Sequence, residues 1–286
     1  MLQLWLFPFN PSNAGLLLMA TNPPSAESAS CNEVLQHREA GVLTLTLNRP
    51  DKKNAFTQAM YGMLADALAA AAQEREVRVV VFQGHESIFS AGNDMADFQQ
   101  GMATQGGEPP VFRFLKALAT FPKPVLAAVC GPAVGIGTTM LLHCDLVIAG
   151  DNAAFSLPFV NLGLCPEAGS SLLLPQLVGH LRASEALLLG EPFFAEAAQD
   201  IGLVNRIVPP GEANSYAQAQ ARRLAAKPSA ALMATKRLLK GAQQAQVLAR
   251  IDEEAQAFAE LLRGPAAREA VAAFLEKRLP DFSKIH

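Results

Sequence analysis

The chain reads as an α/β protein built from repeated ββα units, with a helical region at its C-terminal end. Three observations carry that prediction. Apolar runs of strand length recur at residues 41–47, 77–82, 124–129 and 145–149. Small-residue turns containing glycine follow two of them, at Phe89-Ser90-Ala91-Gly92-Asn93-Asp94-Met95 and at Gly131-Pro132-Ala133-Val134-Gly135-Ile136-Gly137. Helical periodicity fills the intervals and then dominates the stretch after Pro209-Pro210-Gly211. Strand, turn and helix recurring in that order imply stacked ββα units, not a single Rossmann unit.

Each element has its own signal. Residues 41–47 alternate apolar and polar side chains, as a half-buried strand does. The turn Pro50-Asp51-Lys52-Lys53-Asn54 follows, and Thr57 is placed to cap a helix running to about Glu74. Its apolar residues Met60, Met63, Leu64, Leu68 and Ala71 recur at helical spacing. Residues 77–82 are valine-rich and broken only by Arg78, hence a strand buried on both faces. Residues 112–121 form an amphipathic helix and 124–129 another buried strand. The second glycine turn opens an apolar helix at 138–143, which leads into a strand at 145–149. The segment 155–164 runs into Glu167-Ala168-Gly169-Ser170-Ser171 and a further helix. The organisation predicted is an N-terminal extension over residues 1–30, a ββα core over 31–211, and a helical oligomerisation region over 212–286.

Composition bounds the function. Half of the 286 residues are apolar and 17% are charged, which suits a globular chain with ample core. A formal net charge of −3 argues against nucleic acid as the main partner. Cys31, Cys130, Cys144 and Cys165 form no CxxC pair and have no zinc-ligand spacing with the histidines. They read as reduced thiols in a cytoplasmic protein, with no metal expected. Residues 1–30 hold two short apolar patches interrupted by proline, and no Lys or Arg precedes Arg38. That is neither a signal peptide nor a membrane span; it reads as a flexible lead-in or, with Met19 as the true start, an over-extended reading of the gene.

The two glycine turns carry the chemistry. Each leaves backbone N–H groups pointing outward with no side chain in the way. Two such groups converging on one point stabilise negative charge on a carbonyl oxygen. Either turn alone reads equally as a packing turn, and Gly135-Ile136-Gly137 is not a dinucleotide fingerprint. As a pair, in this order and spacing, they resemble the signature of the crotonase (enoyl-CoA hydratase/isomerase) superfamily, a likeness that runs over about residues 32–275.

That resemblance implies a spiral of ββα units, C-terminal helices used in trimer or hexamer contacts, and an acyl-CoA substrate with no further cofactor. It assigns the oxyanion hole to the N–H groups of Asn93 and Ile136. It assigns the CoA cradle to Lys53, Asn54, Ala55, Ala91, Asp94 and Met95, with Phe98 and residues 99–110 as a flap beside the acyl site. At the positions where enoyl-CoA hydratases carry their two glutamates this chain has Thr139 and Phe159. The remaining carboxylate is Glu167, in Leu162-Gly163-Leu164-Cys165-Pro166-Glu167-Ala168-Gly169. That pattern, with Asn93-Asp94 and the second turn, is similar to the peroxisomal-type Δ3,Δ2-enoyl-CoA isomerases, which use a single glutamate as proton shuttle. The C-terminal Ser283-Lys284-Ile285-His286 is not the Ser-Lys-Leu peroxisomal address.

Other readings stand beside these. Glu167 also suits a helix N-terminus on dipole grounds. Asp94 suits a carboxylate that accepts backbone N–H bonds to stiffen its turn. Lys53 suits a solvated turn, His143 and His180 suit core or boundary positions, and Asp145 suits a strand anchor. Lys277 and Lys284 could reach a neighbouring subunit's CoA. A hydratase with reassigned acid and base residues, or a non-catalytic acyl-CoA-binding protein, are the rival functions.

Overall fold

Parallel strands dominate, as the valine-rich runs demand, since strands covered on both faces have no polar side to show. The computed structural model describes residues 33–94, 97, 108–276 and 278–285. The strands are β1 (Val34–Glu39), β2 (Val42–Leu47), β3 (Val79–Gln83), β4 (Val125–Val129), β5 (Pro132–Val134), β6 (Leu146–Gly150), β7 (Ala154–Ser156), β8 (Phe193–Phe194) and β9 (Arg206–Val208). The helices are α1 (Gln58–Gln73), α2 (Pro110–Ala119), α3 (Ile136–Thr139), α4 (Ser170–Val178), α5 (His180–Ser184), α6 (Ala195–Asp200), α7 (Pro210–Ala225), α8 (Ser229–Lys240), α9 (Gln244–Leu262) and α10 (Pro265–Leu275).

A six-stranded sheet has the order β1-β2-β3-β4-β6-β9, parallel throughout except for the β1–β2 hairpin. A smaller sheet has the order β5-β7-β8. Successive strands of the large sheet, β4 and β6, each lead directly into a strand of the small one, β5 and β7. Isolated parallel bridges extend that second layer to Phe56–Asn93 and Ser90–Ala133. The repeating unit is therefore a strand in each layer followed by a helix or helical turn, the ββα spiral expected from the sequence.

Thr57 caps α1 as predicted, its hydroxyl accepting the Met60 N–H at 3.1 Å. The apolar face of α1 joins a core of Leu43, Leu45, Phe82, Phe114, Val125 and their neighbours on one side of the large sheet. Phe114 of α2 stacks into the same core beside Phe56 and Tyr61.

One expectation needs correction, and two features of the fold lie beyond the sequence reading. The edge strand β1 has no apolar alternation, because only Val34 of its six residues is buried, and its pairing with β2 alone defines it. The helix expected at 138–143 begins earlier, at Ile136, and tightens into a 3-10 turn at Met140–His143. Residues 32–286 form one compact unit. Pro210 opens α7 instead of breaking the chain, since the first helical turn has no use for its missing N–H. The Ala217, Ala221 and Ala225 stripe of α7 packs on Val42, Val79, Val81, Leu126, Ala128 and Ile148, the other face of the large sheet. Residues 1–30 lie outside the described residues.

Gly131 shows how tightly the layers are joined. It stands between β4 and β5 at φ 63°, and a Cβ there would overlap the Ser87 carbonyl. Gly131→Ala is expected to destabilise the fold by roughly 3 kcal/mol or more, through strain and overlap together. Chemical denaturation followed by circular dichroism reads this as a lower midpoint.

Candidate active site

The two glycine turns lie side by side because their strands pair in register. Ser90 and Phe89 donate their N–H groups to the Pro132 carbonyl at 3.0 and 3.2 Å, and Val134 donates to the Ser90 carbonyl at 3.0 Å. From the Ser90–Ala133 bridge each chain runs on in the same direction, one to Asn93 and the other to Ile136. Gly92 packs so closely on the second turn that a Cβ on it would lie 3.0 Å from the Val134 carbonyl oxygen. The first turn is stiffened from within: Ser90 Oγ accepts the Gly92 N–H at 3.1 Å and donates to the Asn54 carbonyl at 2.9 Å. Among the described residues neither the Asn93 N–H nor the Ile136 N–H has an acceptor in the chain.

Glu167 comes from the loop that precedes α4. Its side chain is buried, and Oε1 accepts a 2.5 Å hydrogen bond from the hydroxyl of Thr139, in the same short helix as Ile136. Burial pushes its carboxyl up to about 8; the Thr139 bond opposes this, and the Glu254 charge adds to it. A carboxyl group titrating there holds or gives up a proton near neutral pH, as a proton shuttle must. Phe159 is buried and packs 3.9 Å from where a Gly135 side chain would begin. It shares an apolar cluster with Leu164, and Leu162 packs against that cluster. Thr139 and Phe159 thus line this region with a hydroxyl and an aromatic ring, and neither supplies a carboxylate.

Sequence reasoning missed Tyr61. Its hydroxyl donates to Asn93 Oδ1 at 2.5 Å, and the whole residue is buried. Burial raises its pKa well above the usual phenol value, with Glu167 and Asp97 adding to the rise. Tyr61 is therefore a fixed neutral donor within electrostatic reach of Glu167. Only its place on the buried stripe of α1, beside Met60 and Leu64, was visible, and that pattern says core.

The expected CoA cradle divides. Lys53 is exposed, and its carbonyl accepts the Ala91 N–H at 2.9 Å, so the 52–55 and 91–94 loops adjoin. Asn54 is completely buried: Oδ1 accepts the Arg49 N–H at 2.8 Å, and Nδ2 donates to the Phe89 carbonyl at 3.1 Å. Its amide pins the loops together from inside. Asp94 pairs with Arg49 at 2.9 Å and accepts the Asp97 N–H at 3.2 Å, and the same Arg49 holds the Ala55 carbonyl and Glu33. Asp94 thus does stiffen its turn, and Arg49 is the partner that the sequence reading passed over. Met95, Phe98, residues 99–107 and Lys277 lie outside the described residues; Glu108 and Pro109 lead into α2.

His143 is buried and shares a 2.7 Å hydrogen bond between Nε2 and the Ala168 carbonyl. Burial lowers its pKa to about 4, with Lys240 and Lys236 contributing, so the ring is neutral and Nε2–H donates. Asp145 anchors its strand, accepting the Val125 N–H at 2.8 Å and pairing with Lys236 at 2.6 Å. The Cys165 thiol sits 3.8 Å from the Glu254 carbonyl and is pushed up by burial, the wrong direction for a nucleophile.

The arrangement is thus two adjoining peptide turns whose Asn93 and Ile136 N–H groups have no acceptor among the described residues, with the buried Glu167 tied through Thr139 to the helix that begins at Ile136. Comparison with known proteins gives the family. Residues 37–284 match the enoyl-CoA hydratase/isomerase family, and the chain belongs to it. It is 37% identical over 254 residues to a 2,3-dehydroadipyl-CoA hydratase of Escherichia coli, covering 88% of this chain and 98% of that one. A 1,2-epoxyphenylacetyl-CoA isomerase of the same organism is 36% identical, over 87% of this chain and 98% of its own. An enoyl-CoA delta isomerase 2 of Rattus norvegicus is 35% identical over 77% of this chain and 58% of its own length. The crystal structure of an enoyl-CoA hydratase/isomerase from Pseudoalteromonas atlantica superposes with a TM-score of 0.83 at 39% identity, covering 87% of this chain and 99% of that one.

Proposed function

We propose that the protein is a Δ3,Δ2-enoyl-CoA isomerase that uses Glu167 as its only proton shuttle. The observation that carries this reading is the Thr139 hydroxyl on Glu167 Oε1, where a hydratase would hold a second carboxylate. Hydration needs one group to activate water and another to deliver a proton. Moving a double bond needs one base that takes a proton from C2 and returns it to C4.

In this reading the reaction has two proton transfers. The thioester oxygen takes the Asn93 and Ile136 N–H groups. Glu167, in its carboxylate form, removes a C2 proton, and the C–H electron pair spreads over the thioester and the C3=C4 bond. The protonated Glu167 gives the proton to C4, the double bond comes to rest between C2 and C3, and no water, metal or redox partner enters. The CoA portion is held by the adjoining loops around Lys53, Ala55, Ala91 and Asp94, with Asn54 holding those loops in place and Met95 continuing the second. CoA enters as part of the substrate, and no other cofactor is required.

The same reading makes the protein a cytoplasmic homotrimer or hexamer. Free thiols at Cys130, Cys144 and Cys165 suit a reducing compartment. Exposed Leu238, Leu239, Phe274 and Leu279 give the C-terminal helices and the segment after them apolar surface for a second copy. Among the described residues no helix is long and apolar enough to cross a membrane.

Hydration is the second reading, favoured by the identity to the 2,3-dehydroadipyl-CoA hydratase. Supplying 3-hexenoyl-CoA and trans-2-hexenoyl-CoA separately, and following product mass and conjugated-enoyl absorbance, decides between them. Isomerisation appears as conjugation of the first substrate at unchanged mass. Faster gain of one water by the second overturns it in favour of a hydratase. Tight binding of both esters without turnover points to a non-catalytic binder.

A further inference from the structure

We infer that Glu254, on α9, is a positioning residue for Glu167: its buried carboxylate grips the Gly169 and Ser171 amides and fixes the turn that carries the base. The inference rests on the reading of Glu167 as the proton shuttle.

The turn needs holding. Ala168 and Gly169 follow Glu167 with φ values of 63° and 71°, and for a residue with a Cβ the left-handed region costs about 1–2 kcal/mol. Glu254 Oε2 accepts the Gly169 N–H at 2.5 Å, and Oε1 accepts the Ser171 N–H at 2.9 Å. His143 holds the Ala168 carbonyl, the next carbonyl of the same turn, at 2.7 Å. Turn and carboxylate thus meet at the N-terminus of α4, where the first N–H groups of a helix lack intrahelical partners.

Glu254 is not an ordinary surface glutamate. Its neighbours Asp252 and Glu253 are exposed, whereas Glu254 lies on the buried stripe of α9 with Val247, Ile251 and Phe258. A carboxylate on an apolar stripe is costly to bury unless hydrogen-bonded, and here two main-chain donors are spent on it.

Its charge also acts on Glu167. Among the described residues, the groups coupled to Glu167 are the Thr139 hydroxyl from α3, the Tyr61 phenol from α1, the Cys165 thiol of its own loop, and Glu254. Arg250, on the same helix as Glu254, opposes the effect of burial on Glu254. Glu254 is the like charge in the set, and it raises the Glu167 pKa. Removing it lowers that pKa, so activity that requires ionised Glu167 should persist to lower pH.

The test compares full-length native protein with E254Q, E254D and E167Q, measuring kcat and KM for 3-hexenoyl-CoA from pH 6 to 10. Circular dichroism establishes which variants fold. Glutamine offers one acceptor oxygen for two donors, so E254Q is expected to lose about 10–100-fold in kcat with KM within about threefold. Its acid limb should move to lower pH. E254D keeps the charge but not the reach; it should lose kcat with a limb nearer the native one, and it serves alone if E254Q does not fold. A folded variant with native kcat and an unmoved limb overturns the proposal, as does a loss confined to KM. If E167Q keeps the native rate, the base has been misassigned and the proposal falls with that reading. If E167Q is inactive while E254Q and E254D behave as native, only the role of Glu254 falls.

Discussion

Glu167→Gln is expected to cut isomerisation of 3-hexenoyl-CoA by about 10²–10⁴-fold while leaving KM nearly unchanged. Glutamine is isosteric and keeps an oxygen for the Thr139 hydroxyl, so the pocket stays filled and only the titratable group is lost. The native enzyme should carry the matching signature in its pH profile. With the Glu167 carboxyl pushed up to about 8, the base is mostly protonated at neutral pH, and kcat/KM should rise as pH passes through that value. Stability should run the opposite way. The folded pKa lies above the ordinary carboxyl value of 4.5, so between 4.5 and about 8 the folded chain holds a proton that the unfolded chain has lost. Native stability therefore falls as pH rises across that window, and the penalty is complete above it. Glutamine carries no charge to bury, so the variant should melt higher than the native protein at pH 9, with little difference at pH 4. Thermal denaturation at those two pH values reads the effect, and equal melting temperatures at pH 9 would contradict a buried, hard-to-ionise carboxyl group. An inactive enzyme that gains stability is the outcome expected of a residue held in an unfavourable environment for its chemistry.

What the sequence shows and what it hides divide along contact distance. Thr57, Met60, Leu64 and Leu68 announce α1 because a cap and a repeat are local signals, and the helix lies where they place it. The glycine turns are legible for the same reason. Glu167 needed more than local pattern: a glutamate just before a helix also satisfies the dipole, and only its place relative to Thr139 and Phe159 set it apart. Tyr61 and Glu254 were not legible. Each sits on a regular helical stripe, and each gains its role from a partner far away in sequence, Asn93 for one and the Gly169 and Ser171 amides for the other. The same blindness affected α7. An Ala-rich amphipathic helix carries no mark of what it covers, so its packing on the large sheet emerged only from the strands beneath it. Asn54 illustrates the reverse case. A polar residue in a turn beside lysines suggests a ligand contact, yet its side chain is completely buried and bonded to the backbone of two other segments.

Gly92→Ala is expected to lower kcat/KM by about 10²–10³-fold, the loss typical of removing one oxyanion donor. Gly92 holds φ 91°, where a side chain is strained whatever space surrounds it, and its missing Cβ is what lets the first turn close on the Val134 carbonyl. A methyl group there meets that oxygen at 3.0 Å, so the turn must back away and carry the Asn93 N–H with it. The Ile136 N–H stays where it is, because Gly135 is tied to the Ser156 carbonyl at 2.9 Å and α3 follows directly. Asn93→Ala supplies the control. It keeps the backbone N–H and removes only the side chain that receives the Tyr61 hydroxyl, so its effect on kcat/KM should stay within about tenfold, the scale of one lost side-chain hydrogen bond. If the side-chain variant were the more damaging of the two, the oxyanion would be held by the Asn93 amide side chain or by Tyr61, and the backbone assignment would be wrong. With the order as predicted, the two turns act through their main chain. Residue identity at position 93 is then secondary to the glycine before it, because that glycine sets the distance between the two N–H groups.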